Sequence, residues 1–304
     1  MFLAVLLGAA AALPAELNPA PIIGVVSQPK SGTTNSYIAA SYVKWVESSG
    51  GRVVPVILGT ATSELDALLE GLNGLLWPGG GADFHNGTYA DFARHLWDKG
   101  LALNDAGNYF PMWGTCLGFE FANVMAGGED VLTCDWDAED LPLPLVFAPG
   151  ARSSPLLAGT SDALFNAMST QNLTQNEHKC SVAPSAYVGK LGDFFSVAAT
   201  GIDRKGGTFS ALVAGKTYPV WGSQFHPEKN NFEWYSGEAV PIPHSANAVL
   251  TSQHFANFFV NEARKSGSRL KDPISQLIYN YQPVYTGKEP SGYFVQEYHF
   301  PVPS

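Results

Sequence analysis

The sequence predicts an α/β fold: a three-layer sandwich with a central, mostly parallel sheet flanked by helices and a small antiparallel addition. Three observations carry that prediction. Up to Cys116, short continuous apolar runs alternate with segments of helical periodicity, and the links are short. Beyond residue 131 the apolar runs shorten and are separated by Gly, Asp and Pro, the pattern of antiparallel strands. Hydrophobic residues make up 45% of the 304 residues and charged residues 14%, a balance that gives a sizeable core.

Residues 21–27 (PIIGVVS) form an apolar run that reads as a buried strand. Residues 36–49 carry Ile38, Tyr42, Trp45 and Val46 at helical spacing, and Gly50-Gly51 stops that helix. Residues 52–58 (RVVPVIL) read as the second strand. Ser63 is placed to cap a helix running to Leu72, with Glu64 and Asp66 in its first turn. Residues 74–81 read as a third strand ending in a glycine-rich loop, and residues 90–99 as a helix stopped by Gly100. A fourth strand leads into Cys116. Short strands follow at residues 131–134, 143–147, 194–198 and 208–213, with a helix at residues 162–168 between them. Another strand, at residues 218–225, runs into His226, and a long helix spans residues 246–265. Residues 270–304, rich in Tyr and Pro, read as an extended tail packed on the body. No repeat or interdomain linker appears, so residues 20–265 read as one domain and 266–304 as its tail.

The formal net charge of −10 leaves no basic stripe for a nucleic-acid backbone. Residues 1–15 are apolar and end in small residues. They are shorter than the ~20 residues of a spanning helix and read as a secretory signal, cut after Ala12 or Ala15. No later stretch is apolar enough to span a bilayer. Asn86 and Asn172 head two N-glycosylation sequons. Of the three cysteines, Cys116 reads as the free thiol; Cys134 and Cys180 either pair or stand as two buried thiols.

Four stretches bear chemistry. Cys116 sits between a buried strand and a helix, with Gly114 and Gly118 two residues away on each side, a nucleophile-elbow pattern. There the helix dipole is expected to lower the thiol pKa. His226-Pro227-Glu228 ends an apolar strand; in extended backbone the imidazole and carboxylate face one side, as a base and its orienting partner do. Residues 78–81 (PGGG) lack the Lys and Ser/Thr of a phosphate loop, and their bare N–H groups, with that of Leu117, suit an oxyanion hole. His178 stands in a polar stretch and suggests nothing by itself. The remaining histidines show no spacing of a metal site.

Cys, His and Glu with an oxyanion loop describe acyl transfer through a thioester. The chain resembles the class I glutamine-amidotransferase-like hydrolases, and within them the γ-glutamyl hydrolases of peptidase family C26. The matching stretches are residues 39–50 (AASYVKWVESSG), 52–56 (RVVPV), 78–80 (PGG), 109–120 (YFPMWGTCLGFE), 178–179 (HK), 218–229 (YPVWGSQFHPEK) and 233–234 (EW). The likeness covers most of residues 20–265 and is weak after Ser266. Cys180 departs from it, as does the loop at residues 82–86 (ADFHN). The resemblance implies a flavodoxin-like amidotransferase fold without a cofactor or metal. It makes Cys116 the nucleophile, His226 the general base and acid, and Glu228 its partner. Gly80 and Leu117 become the oxyanion donors, and Glu120, His178 and Gly79 substrate-binding residues. The implied substrate is a folate poly-γ-glutamate, neither nucleic acid nor membrane is a partner, and a homodimer is the family precedent. A lysosome, vacuole or extracellular space is the expected location. Two rival readings are a glutaminase subunit feeding ammonia to a synthetase and a non-catalytic binding protein on the same fold.

Overall fold

The computed structural model describes residues 17–234, 242–288 and 294–302, so the apolar run at residues 1–15 lies outside the described residues. Eight strands form the central sheet: β1 (Ile22–Val26), β2 (Arg52–Val56), β3 (Leu75–Trp77), β4 (Met112–Thr115), β5 (Val146–Phe147), β6 (Phe195–Ile202), β7 (Thr208–Gly215) and β8 (Val220–Ser223). Their order is β2-β1-β3-β4-β8-β7-β6-β5. The pairs from β2 to β8 are parallel, and those from β8 to β5 antiparallel.

The apolar runs are continuous because both faces of the sheet are covered. Ile23 and Val25 of β1 point into one core, with Trp45 of helix α1 (Ala40–Glu47) and Phe255 and Phe259 of a long C-terminal helix, Ala246–Arg264. Ile22 and Val26 point into the other. There they meet Leu69 of α2 (Thr62–Gly71), Phe92 of α3 (Thr88–Asp105) and Phe119 of α4 (Leu117–Gly127).

Some local expectations give way to tertiary contacts. Residues 35–39 form a strand (Asn35–Ala39) before α1 rather than the start of a helix. Its partner is Gln296–Pro301, pairing Ile38 with Tyr298 from the far end of the chain. A ladder closed by so distant a segment leaves no local signature. Gly100 does not stop α3, which continues to Asp105. A Cβ at Gly100 would fall 2.5 Å from Met112 Sδ, so the glycine serves a close helix–strand approach. Ser63 lies inside α2, whose N-cap is Ala61 without a side-chain hydrogen bond. The tail is not wholly extended, since it includes a short helix, Pro273–Gln276.

Besides the ladder that joins Asn35–Ala39 to Gln296–Pro301, the antiparallel addition includes two small pairs. Ala138–Leu143 runs against Thr174–His178, and Leu132–Thr133 against Ser181–Val182. A disulfide joins Cys134 to Cys180 beside the second pair. Of the two alternatives left open for these thiols, the structure therefore takes the pair. Asn86 and Asn172 are both exposed. Among the described residues, no helix is long and apolar enough to cross a membrane.

The bridge closes a sequence separation of 46 residues. Chain-entropy arithmetic assigns such a loop about 4 kcal/mol as an upper figure. Replacing both Cys134 and Cys180 by Ser should lower the unfolding free energy by roughly 2–4 kcal/mol in urea titration. A loss below about 0.5 kcal/mol would place the stability of this edge in the strand pairs alone.

Candidate active site

Three parallel strands end side by side, and each delivers one part of the site. β4 delivers Cys116, which has φ 50° and ψ −106°, a conformation L-residues rarely adopt. The strain sits on the cysteine, and the glycines serve a different need. A Cβ on Gly114 would fall 2.4 Å from the Gly118 carbonyl oxygen, and one on Gly118 2.3 Å from that of Trp77. Helix and strand can therefore approach only if both positions are bare. The turn is held on both sides: Cys116 N–H donates to Ser223 O at 2.8 Å, and Glu120 N–H to Cys116 O at 2.9 Å.

β8 delivers His226. The segment after it is not extended as expected: Pro227 and Glu228 turn into the short helix Lys229–Phe232, with Glu228 as its N-cap in αR conformation. The turn still brings the pair together, with His226 Nδ1 2.8 Å from Glu228 Oε1, both side chains buried. Tyr42 Oη of α1 lies 3.2 Å from the same nitrogen. Because Nδ1 is engaged, Nε2 is the nitrogen left for proton transfer.

β3 delivers the glycine loop. Gly79 N–H donates to Tyr42 Oη at 2.7 Å, and Gln28 Nε2 donates to the Pro78 and Gly79 carbonyls at 3.1 Å each. A Cβ on Gly79 would lie 2.5 Å from His226 Cε1 and 3.0 Å from Cys116 Cβ. Imidazole and cysteine thus converge on one point that only glycine leaves open. Gly80 has φ 157°, and a Cβ there would strike Gln28 Oε1 at 2.0 Å. Its N–H has no hydrogen-bond partner among the described residues. Leu117 N–H points at the Cys116 sulfur.

These groups open onto a cleft of about 370 Å³ that also exposes Glu177, Lys229, Tyr37 and Phe294. Cys116 Sγ lies 3.8 Å from Glu177 O, and Lys229 Nζ 3.5 Å from Glu177 Oε1. Burial pushes the Glu177 carboxyl up, but Lys229 and the Gln175 amide outweigh it and hold the group below its usual range.

The expected lowering of the thiol pKa is not found. Burial pushes the Cys116 thiol well above its ordinary value, and the neighbouring Glu120 adds to this; Lys229 and the Leu117 N–H oppose both. Desolvation of the anion outweighs one helix terminus. The resting pair is therefore a neutral thiol beside an imidazole.

Glu120 is buried one turn into α4, accepting from Gln224 Nε2 at 2.9 Å, and burial raises its pKa to about 8. His178 is buried beside Phe209 with ring centroids 4.7 Å apart, and its Nδ1 lies 3.0 Å from the Cys180 carbonyl oxygen, to which it donates. Burial pushes its pKa down to about 3, so the ring is neutral. Neither Glu120 nor His178 lines the cleft. Among the described residues, no group of three or more His, Cys, Asp or Glu is placed to hold a metal.

Three comparisons bear on this arrangement. The family model described as Peptidase C26 matches residues 21–228. The chain belongs to the peptidase C26 family. It is similar to the γ-glutamyl hydrolase of Mus musculus, 41% identical over 289 residues, covering 92% of this chain and 89% of that one. γ-Glutamyl hydrolase B of Dictyostelium discoideum is 39% identical over 285 residues, covering 90% and 81%. The Homo sapiens γ-glutamyl hydrolase is 39% identical over 277 residues, covering 88% and 86%. In fold, this C26 chain resembles the glutaminase domain of Trypanosoma brucei CTPS with bound acivicin. That match has a TM-score of 0.52 and 14% identity, and covers 84% of this chain and 99% of that one. That match shows a shared fold, a parallel-cored sheet flanked by helices.

Several residues in or behind the cleft of this C26 chain carry little or no mark in the sequence. Tyr42 read only as a core position of a helix. Lys229 follows Glu228 directly, and that adjacency was the available signal. Glu177 stands beside His178 in the same polar stretch. Nothing local marks Gln28, Tyr37 or Phe294.

The raised Glu120 pKa makes a stability prediction. The folded state holds this proton up to pH about 8, while the unfolded carboxyl releases it near 4.5. Between those limits the folded state binds more protons, so stability falls as pH rises. Glu120→Gln should remove that decline, on the order of several kcal/mol, in urea unfolding compared at pH 5 and pH 8. An unchanged slope would assign the pH dependence to other groups. Separately, Gly79→Ala should lower kcat/KM by about 100-fold or more with the fold retained, because it drives His226 from Cys116.

Proposed function

We propose that this chain hydrolyses the γ-glutamyl amide bonds of folate poly-γ-glutamates through a thioester on Cys116. The observation that carries the reading is the convergence of Cys116 and His226 on the bare face of Gly79, with Glu228 2.8 Å behind the imidazole. The curated relatives named above are γ-glutamyl hydrolases, and the chain covers 81% or more of each.

In this reading His226 takes the thiol proton as sulfur attacks the γ-carbonyl carbon. The buried thiol needs that transfer, and the Glu228 carboxylate stabilises the resulting imidazolium. The Gly80 and Leu117 N–H groups receive the oxyanion. Collapse breaks the C–N bond, and His226 returns the proton to the departing glutamyl amine. Water then enters, His226 takes its proton, and the thioester C–S bond breaks to give the acid and the thiol. Lys229 offers the cleft a positive group for the substrate carboxylates, although the whole chain carries −10. Tyr42 acts as a positioning residue between loop and imidazole. Gly79 contributes room rather than a free N–H, and Glu120 and His178 support the substrate pocket from behind as neutral groups.

The same proposal places residues 1–15 as a secretory signal and the mature enzyme in a lysosome, vacuole or extracellular space. The Cys134–Cys180 disulfide and the exposed sequons at Asn86 and Asn172 support an oxidising route. A homodimer is part of the proposal, checkable by light scattering. Residues 20–265 form the catalytic unit, and the strand Gln296–Pro301 of the following segment packs on it.

Mass analysis of products from a defined pteroyl-pentaglutamate tests the reading: glutamate or shorter polyglutamate should appear. Ammonia from free glutamine with no polyglutamate cleavage would instead identify a glutaminase. Cys116→Ala should cut turnover by on the order of 10⁴-fold or more while the protein stays folded; retained activity removes the cysteine mechanism. Tyr42→Phe should lower kcat by roughly 10- to 100-fold with little change in KM.

A further inference from the structure

Two aromatic rings stand in the wall of the catalytic cleft, and the mechanism above uses neither. Tyr37 comes from the strand Asn35–Ala39 and Phe294 from the C-terminal segment, beyond the part matched by the family model. Their ring centroids are 6.2 Å apart, inclined by 44°. Phe294 keeps a residual exposure of 8%, and Tyr37 is half-buried.

The C-terminal ring is held in place by its backbone. Thr286 Oγ1 donates to the Phe294 carbonyl at 2.7 Å, and Thr286 N–H to Val295 O at 3.0 Å. Val295 N–H donates to Glu233 Oε2 at 2.6 Å, and Glu233 lies one residue past the helix that begins at Lys229. The next strand then pairs with the one carrying Tyr37. Both rings are therefore fixed before any substrate arrives, which limits the ordering entropy of binding.

Their electrostatic setting is also specific. Lys229 Nζ lies 5.9 Å from the Phe294 centroid, and Lys30 Nζ 5.4 Å from that of Tyr37. An aromatic wall flanked by ammonium groups suits a ligand with a flat ring on one side and carboxylates next to it. A plain γ-glutamyl peptide offers the carboxylates and no ring.

We propose that Tyr37 and Phe294 form a subsite for the aromatic ring of an aroyl-(γ-glutamyl) substrate, with Lys229 receiving the adjacent carboxylate. The proposal rests on the hydrolase reading above and adds to it a residue-level basis for substrate choice.

The test compares two substrates on the full chain, 4-aminobenzoyl-glutamyl-γ-glutamate and N-acetyl-glutamyl-γ-glutamate. The readout is the ratio of their kcat/KM values, so any fraction of inactive protein cancels. The intact protein should favour the aryl substrate. Phe294→Leu keeps apolar bulk and removes the ring, and should reduce the ratio by roughly 3- to 10-fold, through KM of the aryl substrate. Tyr37→Leu should move the ratio in the same direction. Equal losses on both substrates would make the rings packing elements and overturn the subsite. An unchanged ratio in folded variants would overturn it too, as would an intact protein indifferent to the aryl group; in each case the hydrolase reading survives. Cleavage of neither substrate by the intact protein would instead remove the hydrolase reading, and the subsite with it.

Discussion

The junction at Tyr42 Oη holds the candidate site together. This buried hydroxyl accepts from Gly79 N–H at 2.7 Å and lies 3.2 Å from His226 Nδ1. It joins a loop after one strand to a side chain after another, from a helix on the sheet's face. The strand order makes the junction possible. β3, β4 and β8 are adjacent and parallel, so their carboxyl ends emerge together with the glycine loop, the cysteine and the histidine. Rigid packing of Trp45 against Trp113, with centroids 5.6 Å apart, fixes α1 on the strand that ends at Cys116.

Electrostatics at this junction runs against the simple helix-terminus picture. A buried sulfur gains from Lys229 and one N–H and loses more to desolvation, and Glu120 adds to that loss only once it ionises above about pH 8. Proton transfer to His226 therefore belongs to the attack itself, and the Glu228 carboxylate is where the resulting charge is balanced. Glu120 keeps its own proton in the acidic and neutral range, which spares the sulfur a fixed anion nearby.

The cleft wall is assembled from segments far apart in sequence. Lys229 meets Glu177 of the small antiparallel pair and Phe294 of the C-terminal segment. The catalytic geometry and the cleft wall thus come from different parts of the fold. The first is built by parallel strands of the central sheet, and the second largely by the antiparallel addition and the tail.

The sequence by itself determined the alternation of the parallel half, the elbow at Cys116 and the His226–Glu228 pair. Each is a local pattern: a buried strand, a glycine spacing, or two residues two apart, which were expected in extended backbone and meet in a turn. It was less informative at residues 35–39, at Gly100 and across the antiparallel addition, where distant partners decide the structure. Tertiary structure alone decided that Cys134 pairs with Cys180, that burial raises the thiol pKa, and that Tyr42 reaches His226 across 184 residues. The physical reason is common to all three: desolvation and cross-chain contacts depend on what the folded chain packs around a residue, and sequence neighbours do not report it.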